Sequence, residues 1–252
     1  MHEMNVAALG TGPLHEGLRQ PVQQGVAGRP YTSTMIRPQS PASSRTVEPA
    51  SLHTEPFTGE DCLSSEATYA ALAFTGQTFA DQAATMVTFS KSSLLRVDFA
   101  RTQLQRLDLD KVRMESCDMA NAKWERALLR GAKFHGCRMV GLDLSGAKLK
   151  NAEFHACNCS FANFGSASFK VAHFQDCDLR GSSFQGADLR GVTFMGCNLG
   201  EVQMSFARLE GTDFRGADLQ GLRVRIEDLK GAIVEPVQAA YLSGLMGLKV
   251  IP

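Results

Sequence analysis

The sequence predicts an all-β solenoid over most of its length, on three registers that share a five-residue period. The first is an apolar side chain at every fifth position from Tyr69 to Val234 without a frame shift, including Phe134, Phe154, Phe164, Phe174, Phe184, Leu189, Phe194 and Phe214. Twelve of the fifteen phenylalanines fall in this frame, too many for chance in a chain that is 44% hydrophobic. The second register, two residues earlier, is small: Ala122, Ala127, Ala132, Ala147 and their successors. The third is glycine two residues after the large centre, at Gly131, Gly136, Gly141, Gly146, Gly181 and Gly186 among others, where a tolerant backbone is useful. A five-residue period fits neither a helix turn nor the alternation of a flat strand. Short extended sides must therefore be separated by a turn in every repeat, with one large and one small residue of each repeat facing inward.

The cysteines indicate how many sides close one coil. Cys117, Cys137, Cys157, Cys177 and Cys197 stand 20 residues apart, so four repeats return the chain to the same face and the coil is square. About eight coils at a strand spacing of ~4.8 Å make a rod ~40 Å long. Thiols stacked ~4.8 Å apart are too far from one another for a disulfide, and equivalent positions elsewhere hold Ala, Val or Thr, so this ladder reads as packing.

The ends differ from the middle. Seven of the nine prolines lie between Pro13 and Pro56, in a stretch rich in Ser, Thr, Gln and Gly with no apolar register. Residues 1–56 are expected to be disordered. They read as an idle tail, with Met35 an alternative start, or as an export signal. Residues 57–236 form the expected solenoid and residues 237–252 a C-terminal cap. In that cap Leu242, Leu245, Met246 and Leu248 supply more apolar surface than closing one coil end requires, which predicts a homodimer.

Net charge is zero, with 26 Lys+Arg against 26 Asp+Glu, so nothing global draws the chain to nucleic acid or to an anionic membrane. Direct nucleic-acid binding and membrane association are not expected. No apolar run approaches a membrane span and the first residues lack a secretory pattern, so the expected address is cytoplasmic, with a secreted effector as the alternative. No phosphate loop, nucleophile elbow or paired-carboxylate setting appears, so the chain reads as non-enzymatic and cofactor-free. His135, His155 and His173 lie on neighbouring coils without the partners that would complete a metal site.

Stretches such as Gly186-Ala187-Asp188-Leu189-Arg190 and Gly216-Ala217-Asp218-Leu219-Gln220 resemble the repeat of the pentapeptide-repeat family. The resemblance covers about two thirds of the chain and implies a right-handed quadrilateral β-helix that works by binding. A narrower resemblance lies at the ends. Gly221 to Val234, followed by Gln238-Ala239-Ala240-Tyr241-Leu242 and Leu245 to Ile251, is similar to the C-terminus of Qnr-type fluoroquinolone-resistance proteins, as is Phe57-Thr58-Gly59-Glu60. That resemblance implies a dimerising helical cap and a rod that binds DNA gyrase or topoisomerase IV and relieves poisoning by drugs.

Two features depart from that group. The frame here is unbroken by loops, and residues 61–252 hold 21 Asp/Glu against 22 Lys/Arg, whereas the group is acidic. Duplex DNA carries a charge every ~1.7 Å, so full mimicry over ~40 Å needs about two dozen uncompensated negatives. Only a local asymmetry remains. One side carries Asp81, Asp98, Asp118, Asp178, Glu201 and Asp218 against Arg101, Arg138 and Arg180, with Asp98, Asp118, Asp178 and Asp218 the candidate partner contacts; the opposite side carries Lys91, Lys111, Arg130, Lys148, Lys150, Lys170, Arg190, Arg208 and Lys230 against Asp108, Asp110, Asp188, Glu210 and Asp228, and a mixed solvated surface is the alternative. Phe161 and Phe206 lie outside the inward frame, either tucked into corners or exposed as partner anchors. The alternative to topoisomerase protection is an effector or scaffold with an N-terminal export signal.

Overall fold

The computed structural model describes residues 54–245, 247–249 and 251. The tail reading therefore falls outside the described residues up to residue 53, as does the dimerisation reading for Met246.

The chain winds into stacked square coils whose strands are parallel and in a 20-residue register. Leu129 pairs with Leu109 below and Leu149 above; Phe154 pairs with Phe134 and Phe174. We number the four faces by their inward centres: face 1 contains Leu149, face 2 Phe154, face 3 Cys159 and face 4 Phe164. Faces 1 and 2 carry most of the strands, and two eight-residue segments, Lys148–His155 and Ser168–Gln175, run without interruption around the corner between them. This merges the two faces into a single 12-stranded sheet. Face 3 is held mainly by isolated bridges such as Asp98↔Asp118 and Asn198↔Asp218.

The corners explain the third register. The residue two after each centre takes a positive φ from Ala71 to Gly221, supplied by glycine at sites such as Gly181 (φ 65°) but also by Lys111 (φ 54°), Phe161 (φ 58°) and Val171 (φ 58°). A left-handed residue costs an L side chain about 1–2 kcal/mol, and a β-branched one is the least suited. Twenty residues other than glycine nevertheless adopt it, because the ladder bonds on either side fix the turn: the Phe161 N–H donates to the Arg180 carbonyl at 2.9 Å.

Both inward registers are buried as one continuous core. On face 2 the rings of Phe134, Phe154, Phe174, Phe194 and Phe214 stack in a column with centroids 4.4–5.6 Å apart and planes within 14°. Phe164 and Phe184 stack likewise on face 4, and Leu189, the remaining inward residue expected, is buried on face 1. Inward polar groups are tied back to the coil: Thr102 Oγ1 donates to the Phe99 carbonyl and accepts from the Trp124 indole N–H at 3.0 Å.

At the first coil the register contracts. Glu55–Pro56 pairs with Leu72 and Ala73, and Phe57 stacks on Phe74 at 4.4 Å, so the ladder reaches two residues into the segment assigned to the tail. At the other end a 3-10 turn, Ile226–Leu229, leads to helix α1, Pro236–Gly244. Glu235 begins α1 with a capping box: its side chain accepts from the Gln238 backbone N–H, while the Gln238 side chain accepts from the Glu235 N–H. No helix of the described residues is long and apolar enough to cross a membrane.

Candidate binding surfaces

The four candidate aspartates share one column of face 3. Thr78, Asp98, Asp118, Arg138, Asn158, Asp178, Asn198 and Asp218 follow one another at successive coils. Most of these side chains have a backbone task. An oxygen of Asp98, Asp118, Asn158, Asp178, Asn198 and Asp218 accepts the N–H two residues ahead, at 2.8–3.1 Å, and so fixes the turn that follows. The same contact recurs on other faces at Asp143, Asn163, Asp188 and Asp213. An outward Asp or Asn just before the large centre is thus a turn residue first.

Arginine takes up much of the remaining charge. Arg138 pairs with Asp118 from the next coil at 2.9 Å, Arg101 reaches Asp81 at 2.6 Å, and Arg180 closes on Asp178 from two residues along the same side at 2.7 Å. The hydrogen bond from Arg180 holds the Asp178 carboxyl below the usual carboxylate range, and Arg101 does the same for Asp81. Asp98 and Asp218 form no ion pair among the described residues, and Glu201 meets Arg223 only at 3.9 Å. The acidic bias of face 3 is therefore smaller than the composition of its column.

The two exceptional phenylalanines are exposed, not tucked in. Phe161 is 69% exposed at the corner after face 3, where its ring lies over Gly181. It forms one wall of an open cleft of about 760 Å³ that Arg180, Asn198, Glu201, Asp218 and Gln220 also line. Phe206 is 59% exposed on a different corner, between faces 4 and 1; the Arg225 guanidinium sits 4.6 Å above its ring, and its N–H donates to Asp228 at 2.7 Å. The structure thus joins Phe161 to Asp218 and leaves Phe206 apart.

Within the expected cysteine ladder, Cys117, Cys137, Cys157, Cys177 and Cys197 are all buried free thiols. Contact with the adjacent thiols, together with burial, pushes Cys137 and Cys197 up; burial is the main cause for the fully enclosed Cys159. Hydrogen bonds from adjacent thiols pull Cys117 and Cys157 down, but the whole ladder is enclosed in the core, out of reach of an electrophile. His135 and His155 stack with centroids 4.9 Å apart, and no group of three His, Cys, Asp or Glu among the described residues could hold a metal ion.

The cap separates the residues assigned to dimerisation. Leu242 is buried against the solenoid end, whereas Leu245 and Leu248 are exposed, together with Val237 and Ile251. Leu242 therefore belongs to the cap's own packing and not to its outer surface. Sequence reasoning also passed over two residues that hold the cap. Gln238 is buried and donates to two solenoid carbonyls, and the Tyr241 hydroxyl accepts the Gly221 N–H at 2.7 Å.

A family profile described as "Pentapeptide repeat region" matches residues 130–204 and 167–240. The chain belongs to the pentapeptide-repeat family. Among solved structures it is similar to HetL, a pentapeptide repeat protein involved in heterocyst differentiation regulation from the cyanobacterium Nostoc, at 20% identity over 69% of this chain and 90% of that one, with a TM-score of 0.44. It is similar to full-length QnrB1, a plasmid-mediated fluoroquinolone resistance protein, at 20% identity over 72% and 100%, with a TM-score of 0.35. A pentapeptide repeat protein from the Arabidopsis thaliana thylakoid lumen is 30% identical over 42% and 74%, with a TM-score of 0.39. No curated protein matches the chain.

Proposed function

We propose that the protein is a non-enzymatic recognition rod that binds a bacterial type II topoisomerase, DNA gyrase, and protects it from topoisomerase poisons. The observation that carries this reading is the terminal segment. Residues 221–251, similar in sequence to the C-terminus of fluoroquinolone-resistance proteins, close the last coil through a short turn and helix α1 and leave apolar side chains outward.

Face 3 is the contact surface this reading favours. It presents a column of Asp and Asn, interrupted by Arg138, with Phe161 as an apolar anchor beside Asp218. Asp98 and Asp218 can meet a cationic partner without displacing an arginine, so electrostatics contribute locally and affinity falls as salt rises.

The test is gyrase supercoiling with and without a poison in the presence of the purified protein. Protection or direct inhibition is expected from the wild type and loss of it from Asp98→Asn/Asp218→Asn, in which asparagine keeps the turn bond and removes only the charge. If quinolones and natural-product poisons act unchanged and the protein neither protects nor inhibits, the gyrase reading fails and a scaffold or effector role replaces it.

A further inference from the structure

Opposite the Asp/Asn column, face 1 carries a run of like charge that no contact of the rod explains. Arg130, Lys150 and Lys170 are direct register partners on three successive coils, and Arg190 follows on the next. Lys148 stands across the strand from Lys150, also pointing outward. Between Leu128 and Arg190 the outward positions of this face hold five cations and one carboxylate, Asp188. That carboxylate is occupied by Arg190 at 2.7 Å and Arg208 at 3.6 Å, while Arg130 at the other end is held by Asp108 at 2.8 Å and Asp110 at 3.5 Å. Lys148, Lys150 and Lys170 are exposed and have no ion-pair partner among the described residues.

Like charges directly opposite in a ladder repel, so this arrangement works against the fold. It suits an external line of anions. The cations repeat every ~4.8 Å in one row, Arg130, Lys150, Lys170 and Arg190, with Lys148 beside it across the strand. Face 1 presents no outward aromatic side chain on which unstacked bases could lie, a feature single-strand binders rely on, and no element that could enter a groove. A stiff row of phosphates fits it without the ordering that a flexible polyanion requires.

We propose that face 1 binds the phosphate backbone of duplex nucleic acid, without sequence preference, through Lys148, Lys150 and Lys170 with Arg130 and Arg190 at the ends. The zero net charge of the chain argued against nucleic acid as a partner; the segregation of charge onto one face reverses that reading locally. The inference is independent of gyrase binding, since it needs only the rod and DNA.

The experiment is fluorescence anisotropy of a labelled duplex of about 20 base pairs with the full-length protein alone, at several salt concentrations. Neutralising three phosphates gives a slope of about −2.7 in log affinity against log salt, a loss of roughly 40-fold between 50 and 200 mM. Lys148→Glu/Lys150→Glu/Lys170→Glu should weaken binding at least tenfold and melt no lower than wild type, because the contacts of positions 150 and 170 with Arg130 and Arg190 turn from like to opposite charge while only the contact between 150 and 170 stays like-charged; the corresponding triple Gln variant should show a smaller loss. Asp98→Asn/Asp218→Asn, on the opposite face, should bind the duplex as wild type does. Absence of binding at low salt, full binding by both triple variants, or tighter binding to single strands, polyglutamate or anionic vesicles than to the duplex overturns the proposal.

Discussion

The Gln238 side-chain amide donates to the Phe214 carbonyl at 2.7 Å and, from the same nitrogen, to the Ala217 carbonyl at 2.8 Å, so one residue of α1 pairs the Ala217 carbonyl at the end of the solenoid and adds a second donor to the Phe214 carbonyl, which also accepts the Ala217 N–H at 3.0 Å. Gln238→Leu removes both bonds and half of the capping box. It should cost about 1–3 kcal/mol, since buried polar groups lose their partners. Thermal unfolding should show a clear drop in Tm, and hydrogen exchange should report faster opening of the last coil than of the middle ones. An unchanged Tm would mean that α1 does not stabilise the rod.

Phe174 sits between Phe154 and Phe194 in the face 2 column. Phe174→Ala leaves a cavity between two stacked rings and should cost about 3–5 kcal/mol. Ser166→Ala, at an exposed corner, should be within experimental error of wild type by chemical denaturation. Equal effects at the two sites would contradict the inward frame.

Val171 is half exposed at a corner with φ 58°. Val171→Gly relieves the left-handed strain of a β-branched residue, worth about 1–2 kcal/mol, against the smaller entropic penalty of a new glycine. The expected outcome is an equal or higher Tm. A marked loss of stability would show that Val171 contributes packing that its exposure conceals.

Asp178, Asp188 and Asp213 are each held below the usual carboxylate range, chiefly by the hydrogen bond from Arg180, Arg190 or Arg215 two residues on. A depressed folded-state value stabilises the fold above the unfolded value and is lost as pH falls through the folded one. Tm should therefore decline below about pH 4, where ordinary carboxylates begin to protonate. Replacing all three by Asn keeps the turn bonds, as Asn158 and Asn198 do elsewhere. The acid decline should then be shallower.

The outward apolar residues of the cap are proposed to pair with a second copy. Light scattering should give about twice the 27.3 kDa chain mass, with Leu245→Arg shifting it toward one. Leu242→Arg should instead unfold the cap, because that side chain is already buried. A monomer at high concentration removes the dimer.

Where sequence reading succeeded and where it stopped has one physical cause. Every coil repeats the same inward contacts, so the period of five and the 20-residue cysteine spacing are themselves a contact map. Outward positions have no such redundancy. Asp178-Leu179-Arg180, Asp188-Leu189-Arg190 and Asp213-Phe214-Arg215 share a spacing that puts both charges outward on either side of one inward residue, a legible signal for self-neutralisation, whereas the Arg138 to Asp118 pair depends on rotamers across coils. Leu242 and Leu245 look alike in sequence; only the docking of α1 separates them. The aspartate column shows the same limit, since an outward carboxylate reads as a contact until its bond to the N–H two residues on is seen.

The 20-residue register also has a mechanical consequence. All seven cysteines are free, and each coil is tied to the next by ladder bonds, stacked side chains and a few exposed ion pairs, with no covalent crosslink among the described residues. Pulled from its two ends, such a rod has no element that must fail all at once; it yields at a terminal coil and unravels like thread from a spool. Each release frees 20 residues, about 70 Å of extended chain. A force-extension trace of the rod should be a train of small, evenly spaced teeth, with the first tooth delayed when α1 still clasps the last turn.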